Sequence, residues 1–377
     1  MNRKPLRSDF LAALPFWISL AFLPIIGLAG WLGGWWLALP PVFGWYITTL
    51  LDFAAGRNAE NPDPDAPTNL FWYRLITVMW LPIQICLVFG GLAYVSWTDR
   101  LDDVESIIFV MTLGIASGSI GIVYAHELMH QSPKWERLLG DGLMTMALYG
   151  HFRSEHLLVH HRHVGTPRDP VTARYNEGFH RFFPRVLIGC LKSSFRAEKD
   201  MLARKGLPWW HKSNPFWRYG LWQTGWLTLA FIIGGWAGVG FFVLQAFVAV
   251  WQLEIVNYVE HYGLTRRYMG NGKYEHVMPR HSWNSAHRIT NYFLINLQRH
   301  SDHHFKPARR FPLLQTYDED EAPQLPFGYP IMTMLAMAPP LWRRYMNPKV
   351  RQWRRKYYPD IENWHSYNKA LNPPPSG

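Results

Sequence analysis

The chain alternates between long uncharged stretches and polar blocks, and the uncharged stretches predict its architecture. No charged side chain occurs in residues 10–51, 75–98, 106–125 or 219–253. A helix that crosses the hydrocarbon core of a bilayer needs about 20 residues, because a ~30 Å core is divided by a rise of 1.5 Å per residue. The first and last stretches are long enough for two helices each, with clustered glycines to turn the chain. The pattern predicts an all-α integral membrane protein with six transmembrane helices, near residues 10–30, 32–51, 75–98, 106–125, 217–234 and 236–256.

Two polar blocks, residues 126–216 and 257–377, follow the fourth and sixth predicted spans. With six spans, both termini lie on the same side of the membrane. Of the 38 Lys and Arg residues, only Arg100 falls in a loop on the opposite side, so the positive-inside rule places both blocks and the basic residues 3–7 in the cytoplasm. We expect a single domain over residues 1–377, in which a cytoplasmic histidine-rich helical region caps the spans.

Composition supports a membrane protein and argues against several soluble classes. The chain has 20 Trp, 22 Phe and 18 Tyr, and 17% of its residues are charged, against about 25% in soluble domains. Positive-inside bias and contact with anionic membrane lipid account for the net charge of +11, and no nucleic-acid-binding module occurs. A basic cytoplasmic face also suits an acidic soluble partner. The two cysteines, Cys86 and Cys190, can form neither a disulfide framework nor a cysteine metal site.

Nine of the 17 histidines recur in four short segments, HELMH, EHLLVHH, NYVEHYG and HSDHH. Within the segments the spacings of three and four residues place imidazoles on one helix face. All four segments lie at cytoplasmic ends of predicted spans or in the polar blocks, and a buried imidazole without a partner is costly. The segments therefore predict a metal site formed by His126, His130, His156, His160, His161, His261, His300, His303 and His304.

The number of imidazoles exceeds what one ion needs, since zinc takes four ligands, so two ions fit better. Imidazole suits Fe, Cu, Zn and Ni, and the residue types alone leave the metal open. Neutral ligands supply no charge, so neighbouring carboxylates are expected to orient the rings. The candidates for this role adjoin the ligands in sequence and are Glu127, Glu155, Glu260 and Asp302.

With these segments the sequence resembles the membrane-bound alkane 1-monooxygenases, relatives of the integral-membrane fatty-acid desaturases and hydroxylases. HELMH, EHLLVHH and LQRHSDHH are similar to the three histidine boxes of the family, and NYVEHYGL to the further segment that separates this group from ordinary desaturases. RHSWNSAHRITN and EAPQLPFGYP also resemble cytoplasmic segments of the family. The resemblance extends over nearly the whole chain.

The resemblance implies that the nine histidines hold two Fe ions and that one oxygen atom of O₂ is inserted at a terminal C–H bond of a medium-chain n-alkane, giving a 1-alkanol. It also implies electrons from rubredoxin, itself reduced by an NAD(P)H-dependent rubredoxin reductase, and a place in the inner membrane of a bacterium. Three residues depart from the family pattern, none of them a candidate ligand: Gln131, Val159 and Ala286.

Several alternatives stay open from the sequence. Xylene-type monooxygenases, which oxidise methyl groups on aromatic rings, share the histidine boxes, and lipid desaturation is a further enzyme alternative. A zinc hydrolase could use HELMH with Glu127 as the base, but it would leave six histidines unexplained. A metal transporter should have ligands in mid-membrane, whereas the uncharged stretches contain no His, Asp or Glu.

The remaining histidines match no box and are expected to be mostly surface residues, although His281 and His287 lie between box segments and could support the site. They are His151, His163, His180, His211, His276, His281, His287 and His365. For the substrate, Gly44 and Thr48 share a face of the second span and leave a groove that we expect either to hold an alkane or to allow close helix packing.

Overall fold

A computed structural model describes residues 5–373 of the chain, which fold as a mostly helical protein with one small sheet. Arg3 and Lys4 of the basic arm, and residues 374–377 of the proline-rich tail, lie outside the described residues. The helices are α1 (Phe10–Leu32), α2 (Gly34–Ala55), α3 (Phe71–Trp97), α4 (Asp103–Met129), α5 (Lys134–Met146), α6 (residues 152–163), α7 (Phe179–Ala203), α8 (Phe216–His261), α9 (Arg288–Phe293), α10 (His300–Phe305), α11 (Tyr329–Ala336), α12 (Pro339–Tyr357) and α13 (His365–Asn368).

Five of these helices, α1 to α4 and α8, are long and apolar enough to cross a membrane. The sequence predicted six spans, and the difference lies in α8. This helix has 46 residues and contains both of the spans expected near 217–234 and 236–256. It breaks at Gly234 and at Gly235, where φ is 60°, a left-handed value that glycine adopts without the steric cost of a Cβ atom. The break divides α8 into an arm before it and an arm after it.

The first predicted hairpin turns where its glycines are most concentrated. Gly33 and Gly34, both with positive φ, separate α1 from α2. The Gly34 backbone N–H donates to Glu105 Oε1 at 2.7 Å. Glu105 also closes a capping box with Asp102 at the start of α4, so one carboxylate fixes two helix ends on this side of the molecule.

The two polar blocks pack together at the end of the molecule where α4 and α8 finish. Arg266 donates to the Arg162 carbonyl and Trp283 to the Glu260 carbonyl, which joins the second block to the first and to α8. The antiparallel strands β1 (Tyr268–Gly270) and β2 (Lys273–Tyr274) lie in the second block. The buried side chains form one apolar core among the spans and another in the polar blocks, and Leu294 and Leu297 contact both.

Candidate metal centre

The candidate ligands reach one region from four separate elements. His126 and His130 come from the end of α4, and His261 is the last residue of α8. The second box lies on α6 and the third on α10, which contribute His156, His160, His161, His300, His303 and His304. All nine imidazoles predicted from the sequence are therefore brought together, although up to 178 positions separate them along the chain.

Four of the rings form a first group, His126, His130, His156 and His303, whose nitrogens lie within 4.8 Å of one another. The Nε2 atoms of His130 and His156 are 3.0 Å apart. The ring of His126 stands 4.6 Å from that of His156 and 4.3 Å from that of His303. Ligands bound about 2.1 Å from one ion lie about 3 to 4 Å apart, so this group has the dimensions of a metal site.

A second group repeats this geometry with His160, His261, His300 and His304. The Nε2 atoms of His300 and His304 are 3.0 Å apart, those of His261 and His300 are 3.1 Å apart, and those of His160 and His304 are 3.2 Å apart. All four residues are buried. The chain thus carries two adjacent all-imidazole groups that fit a histidine-rich metal centre.

His161 lies between the two groups. Its Nε2 atom is 3.0 Å from that of His156 and 3.1 Å from that of His303, both members of the first group. Its ring is 4.7 Å from the ring of His304, a member of the second. His161 can complete the first group or touch both.

The second box serves both groups because α6 contains a π-helical turn at His156–His160. In this turn the His161 N–H donates to the His156 carbonyl, five residues back. A π turn brings residues five apart onto one side, so His156 and His161 point together while His160 turns to the other group. In a regular α-helix, residues five apart would point in clearly different directions.

Burial keeps six of the nine imidazoles neutral. Desolvation, with repulsion from neighbouring imidazoles, lowers the pKa well below the usual value for the rings outside the spans, which are His130, His156, His161, His300, His303 and His304. A neutral imidazole has a free nitrogen lone pair, which is the form that binds a metal. The nine imidazoles, in contact with one another, form a donor set that soft and borderline transition metals prefer.

One carboxylate that orients a ring was not among the predicted candidates. Asp169 is buried, and its Oδ2 atom accepts hydrogen bonds from His160 Nδ1 at 3.0 Å and Thr172 Oγ1 at 2.6 Å. The Val171 N–H donates to its other oxygen at 3.0 Å. Asp169 therefore fixes the ring so that Nε2 faces the second group. Because it lies nine positions after His160, beyond the end of α6, sequence adjacency did not indicate it.

The four predicted carboxylates take different places. Glu260 Oε1 lies 3.3 Å from His300 Nδ1 and accepts from the Tyr329 hydroxyl at 2.7 Å, so it faces a candidate ligand. Both Glu155 oxygens are buried and have no hydrogen-bond partner among residues 5–373. The other two carboxylates contact no ring nitrogen among these residues.

Glu127 accepts from the Gln131 side chain at 2.9 Å and from the Phe311 N–H at 3.2 Å. Gln131 is one of the departures from the family pattern, and it thus supports a carboxylate within the first box. Asp302 is held by Arg309, by the Gln315 N–H and by the Tyr317 hydroxyl. Asp302 therefore holds α10 in place and does not orient the ring of a candidate ligand.

The remaining histidines stay outside both groups. His281 Nε2 contacts the Tyr358 hydroxyl at 2.8 Å, and His287 Nδ1 contacts the Ser285 hydroxyl at 2.7 Å. Neither supports a candidate ligand directly. His180 and His365 are exposed.

An apolar cavity of about 90 Å³ is lined by Gly44 and Thr48 of α2 and by Val123, one helical turn before His126 on α4. A narrower space is lined by His126 and His303, and the two spaces share the side chains of Val123, Leu294 and Leu297. Among residues 5–373, a Cβ atom at Gly44 would meet only the Phe22 ring within 4 Å, at 3.8 Å. Three side chains thus belong to the walls of both the cavity at Gly44 and the space lined by the two histidines.

Comparison with known proteins places these features in context. Residues 104–336 match the family model described as fatty acid desaturase. The chain is 39% identical to alkane 1-monooxygenase 2 of Pseudomonas aeruginosa over 356 residues, which cover 90% of this chain and 92% of that protein. It is 34% identical to the alkane 1-monooxygenase of Pseudomonas putida over 347 residues, covering 90% and 85%. The xylene/toluene monooxygenase hydroxylase component of Pseudomonas putida is 27% identical over 350 residues, covering 89% of each chain.

Proposed function

Since the chain belongs to the alkane 1-monooxygenases, within the fatty acid desaturase family, we propose that it hydroxylates medium-chain n-alkanes to 1-alkanols with O₂. It is an oxidoreductase, which excludes the metal-transporter and zinc-hydrolase alternatives. The observation that carries the proposal is the pair of buried imidazole groups beside an apolar cavity. Such a site offers redox metal chemistry next to a space that suits a molecule without polar groups.

We propose that the nine histidines hold two Fe ions, one at each imidazole group, with His161 between them. Iron bound there would supply the activation of O₂ and the oxidation of the C–H bond. The protein's own contribution is to hold the rings: Asp169 orients His160, and Glu260 lies against His300. Burial of both groups also excludes water, which would compete for open coordination positions.

The substrate is proposed to lie in the cavity lined by Gly44 and Thr48, with one end toward His126 and His303. An alkane offers no hydrogen-bonding group, so the site can recognise it only by shape and apolar burial. Each buried CH₂ contributes about 0.8 kcal/mol. Val123, Leu294 and Leu297, which line both the cavity and the space beside the rings, would orient the terminal methyl group toward the first group.

Product analysis tests the proposed reaction. The purified enzyme with reductant and donor is supplied in separate reactions with octane, xylene and a fatty acid. Octan-1-ol as the main product supports the proposal. A methyl-hydroxylated xylene as the preferred product would favour the xylene-type alternative, which the more distant relative represents, and a desaturated fatty acid would favour lipid desaturation.

Gly44→Trp should change the chain-length preference. The indole would occupy the cavity, so we expect turnover of dodecane to fall about 15-fold, because burying two fewer CH₂ groups removes about 1.6 kcal/mol. Turnover of the shortest alkanes should stay close to that of the parent. The measurement is the rate for each member of an alkane series.

The matched control is Gly240→Trp, at an exposed glycine of α8 where a Cβ atom would meet nothing within 4 Å. It adds the same bulk away from the cavity and should leave the series unchanged. An equal loss for every chain length in Gly44→Trp would reject the cavity as the substrate slot.

We propose six transmembrane spans, with each arm of α8 crossing the inner membrane of a bacterium and both termini in the cytoplasm. The break at Gly234 and Gly235 supports two crossings within α8. On this topology the metal centre lies at the cytoplasmic side of the membrane, where a soluble electron donor can reach it.

Electrons are proposed to come from rubredoxin, reduced by an NAD(P)H-dependent rubredoxin reductase. A surface cavity of about 350 Å³ is lined by the exposed side chains of Arg168 and Arg174 and by the buried Asp169. Asp169 contacts His160, so a donor bound here would lie one hydrogen bond from a candidate ligand. The basic rim suits an acidic protein.

Turnover with limiting donor and saturating reductant should fall as salt rises. Going from about 0.1 M to about 1 M shortens the screening length from about 10 Å to about 3 Å and slows encounter between opposite charges. Arg168→Gln should weaken the dependence, whereas Arg344→Gln, at an exposed arginine of α12 that does not line this cavity, should leave it as in the parent. Salt-independent turnover would argue against electrostatic docking.

A further inference from the structure

Helix α7 lies across both arms of α8. Near its start, Phe179 contacts Trp251 and Phe183 contacts Phe247, each with 6.0 Å between ring centroids. Near its end, Phe195 contacts Phe216 with 5.2 Å between centroids. Trp251 and Phe247 belong to the second arm of α8 and Phe216 begins the first arm, so α7 bridges the two arms.

The contacts at the two ends of α7 are at similar depths. Phe216 precedes the break at Gly234 by 18 residues and Trp251 follows Gly235 by 16, which are about 27 Å and 24 Å of helix. With the break at one edge of a hydrocarbon core about 30 Å thick, both ends of α7 lie near the other edge. This places α7 parallel to the membrane surface, at the level of the cytoplasmic interface.

The outer side of α7 carries an apolar stripe that no described residue covers. Ile188 is 57% exposed and Leu191 is 50% exposed. Beyond the helix, Trp209, Trp210 and Trp217 are also exposed. Tryptophan is enriched at membrane interfaces, where its ring lies at the level of the headgroups. The stripe continues the lipid-facing surface of α8, because Phe247, which Phe183 contacts, is itself exposed.

A row of cations runs along one edge of this stripe. Arg181, Lys192 and Lys199 are exposed, and at 3.6 residues per turn they fall within about 60° of Ile188. The two acids of α7 do not offset the row: Glu198 is buried and accepts a hydrogen bond from Ser154, and Asp200 is its one exposed carboxylate. Further exposed cations follow the helix at Arg204, Lys205 and Lys212.

We propose that α7, with residues 204–217, is an interfacial platform that immerses Ile188, Leu191 and the tryptophans in the membrane and binds anionic phospholipid headgroups through Arg181, Lys192 and Lys199. An amphipathic helix with an apolar stripe and flanking cations has the features of a helix that lies in the interface. Juxtamembrane cations attract anionic lipid.

The interfacial platform is connected to the metal centre because α7 forms a hydrogen bond with α6. Ser154 of α6 donates to Glu198 Oε1 at 2.6 Å, two residues before His156. A platform held at the membrane surface therefore holds the helix that carries the second histidine box. We infer that anionic lipid stabilises the folded enzyme through this contact.

Depth measurement tests the position of α7. Cysteines are placed at Ile188 or Leu191 in a Cys86→Ser background, since Cys86 is exposed and Cys190 is buried, and are spin-labelled in lipid vesicles. The control label is at Gln352, an exposed residue of α12. The labels on α7 should collide with oxygen and be protected from a water-soluble nickel complex, with at least a several-fold lower nickel-to-oxygen ratio than the control. A nickel-to-oxygen ratio equal to that of Gln352 at both positions would overturn the proposal. That is the result expected if this face of α7 binds an acidic protein instead of the membrane.

Thermal unfolding tests the lipid chemistry. In nanodiscs, replacing part of the phosphatidylcholine with phosphatidylglycerol should raise the unfolding midpoint of the parent protein. Lys192→Gln with Lys199→Gln should lose at least half of that rise, whereas Arg344→Gln with Arg355→Gln, two exposed cations of α12, should keep it. An unchanged midpoint in the parent, or an equal loss in both double variants, would overturn the proposal without bearing on the reaction.

Discussion

His303→Ala is expected to reduce alkane hydroxylation to background and to lower the iron content from close to two ions per chain. His303 belongs to the first imidazole group, and its Nε2 atom lies 3.1 Å from that of His161. Its loss would remove one candidate ligand and leave the His161 ring less firmly held. Carboxylates around the site cannot replace a lost ligand. The same outcome is expected for His126→Ala and His160→Ala. Metal analysis and single-turnover product formation on the purified protein measure both effects.

The matched controls are His180→Ala and His365→Ala, at exposed histidines that belong to neither group. These variants should keep iron and activity near the parent values. If the His303→Ala variant kept its full iron content, His303 would not be a metal ligand. An active preparation with stoichiometric zinc and no redox-active metal would reject the iron centre altogether.

Asp169→Asn is expected to cost about 10- to 100-fold in activity or in iron affinity, the usual range when a group that orients a metal ligand is lost. All three groups around the carboxylate are donors: His160 Nδ1, the Thr172 hydroxyl and the Val171 N–H. An asparagine has one donor end, so in either orientation its NH₂ group faces another donor. The His160 ring would lose its fixed direction.

Asp320→Asn is the control, because Asp320 is an exposed carboxylate that pairs with Lys356 at the surface. Iron content separates the two ways in which Asp169→Asn could act. Loss of iron with a normal unfolding midpoint supports orientation of His160, whereas a lowered midpoint with iron retained indicates a purely structural role. Activity within twofold of the parent would show that His160 needs no carboxylate.

The sequence predicted the parts of this molecule that depend on local pattern. The uncharged stretches coincide with the helices that are long and apolar enough to cross a membrane, for example residues 75–98 with Phe71–Trp97. The histidine spacings picked out the nine rings that the fold brings together. Both signals are carried by side chains a few positions apart, so no knowledge of long-range contacts was needed.

The sequence did not reveal features that depend on backbone geometry or on distant partners. The number of positions between the histidines of EHLLVHH does not depend on whether the segment forms an α-helix or a π-helix. The side-by-side placement of His156 and His161 could therefore not be predicted from the sequence. Asp169 was missed because the chain folds back on itself after α6. Asp302 adjoins a candidate ligand yet bonds to Arg309 and Tyr317, because adjacency along a helix does not fix where a side chain points.

The third histidine box has a consequence for how the protein is made. Neither imidazole group is complete until α10 is present, since the first group needs His303 and the second needs His300 and His304. During synthesis, all the spans will therefore have left the ribosome before a full set of ligands exists. A helix of six residues has little stability of its own, so tertiary contacts such as those of Asp302 with Arg309 and Tyr317 hold it in place. A nascent chain that has not reached residue 304 therefore cannot present all nine imidazoles together.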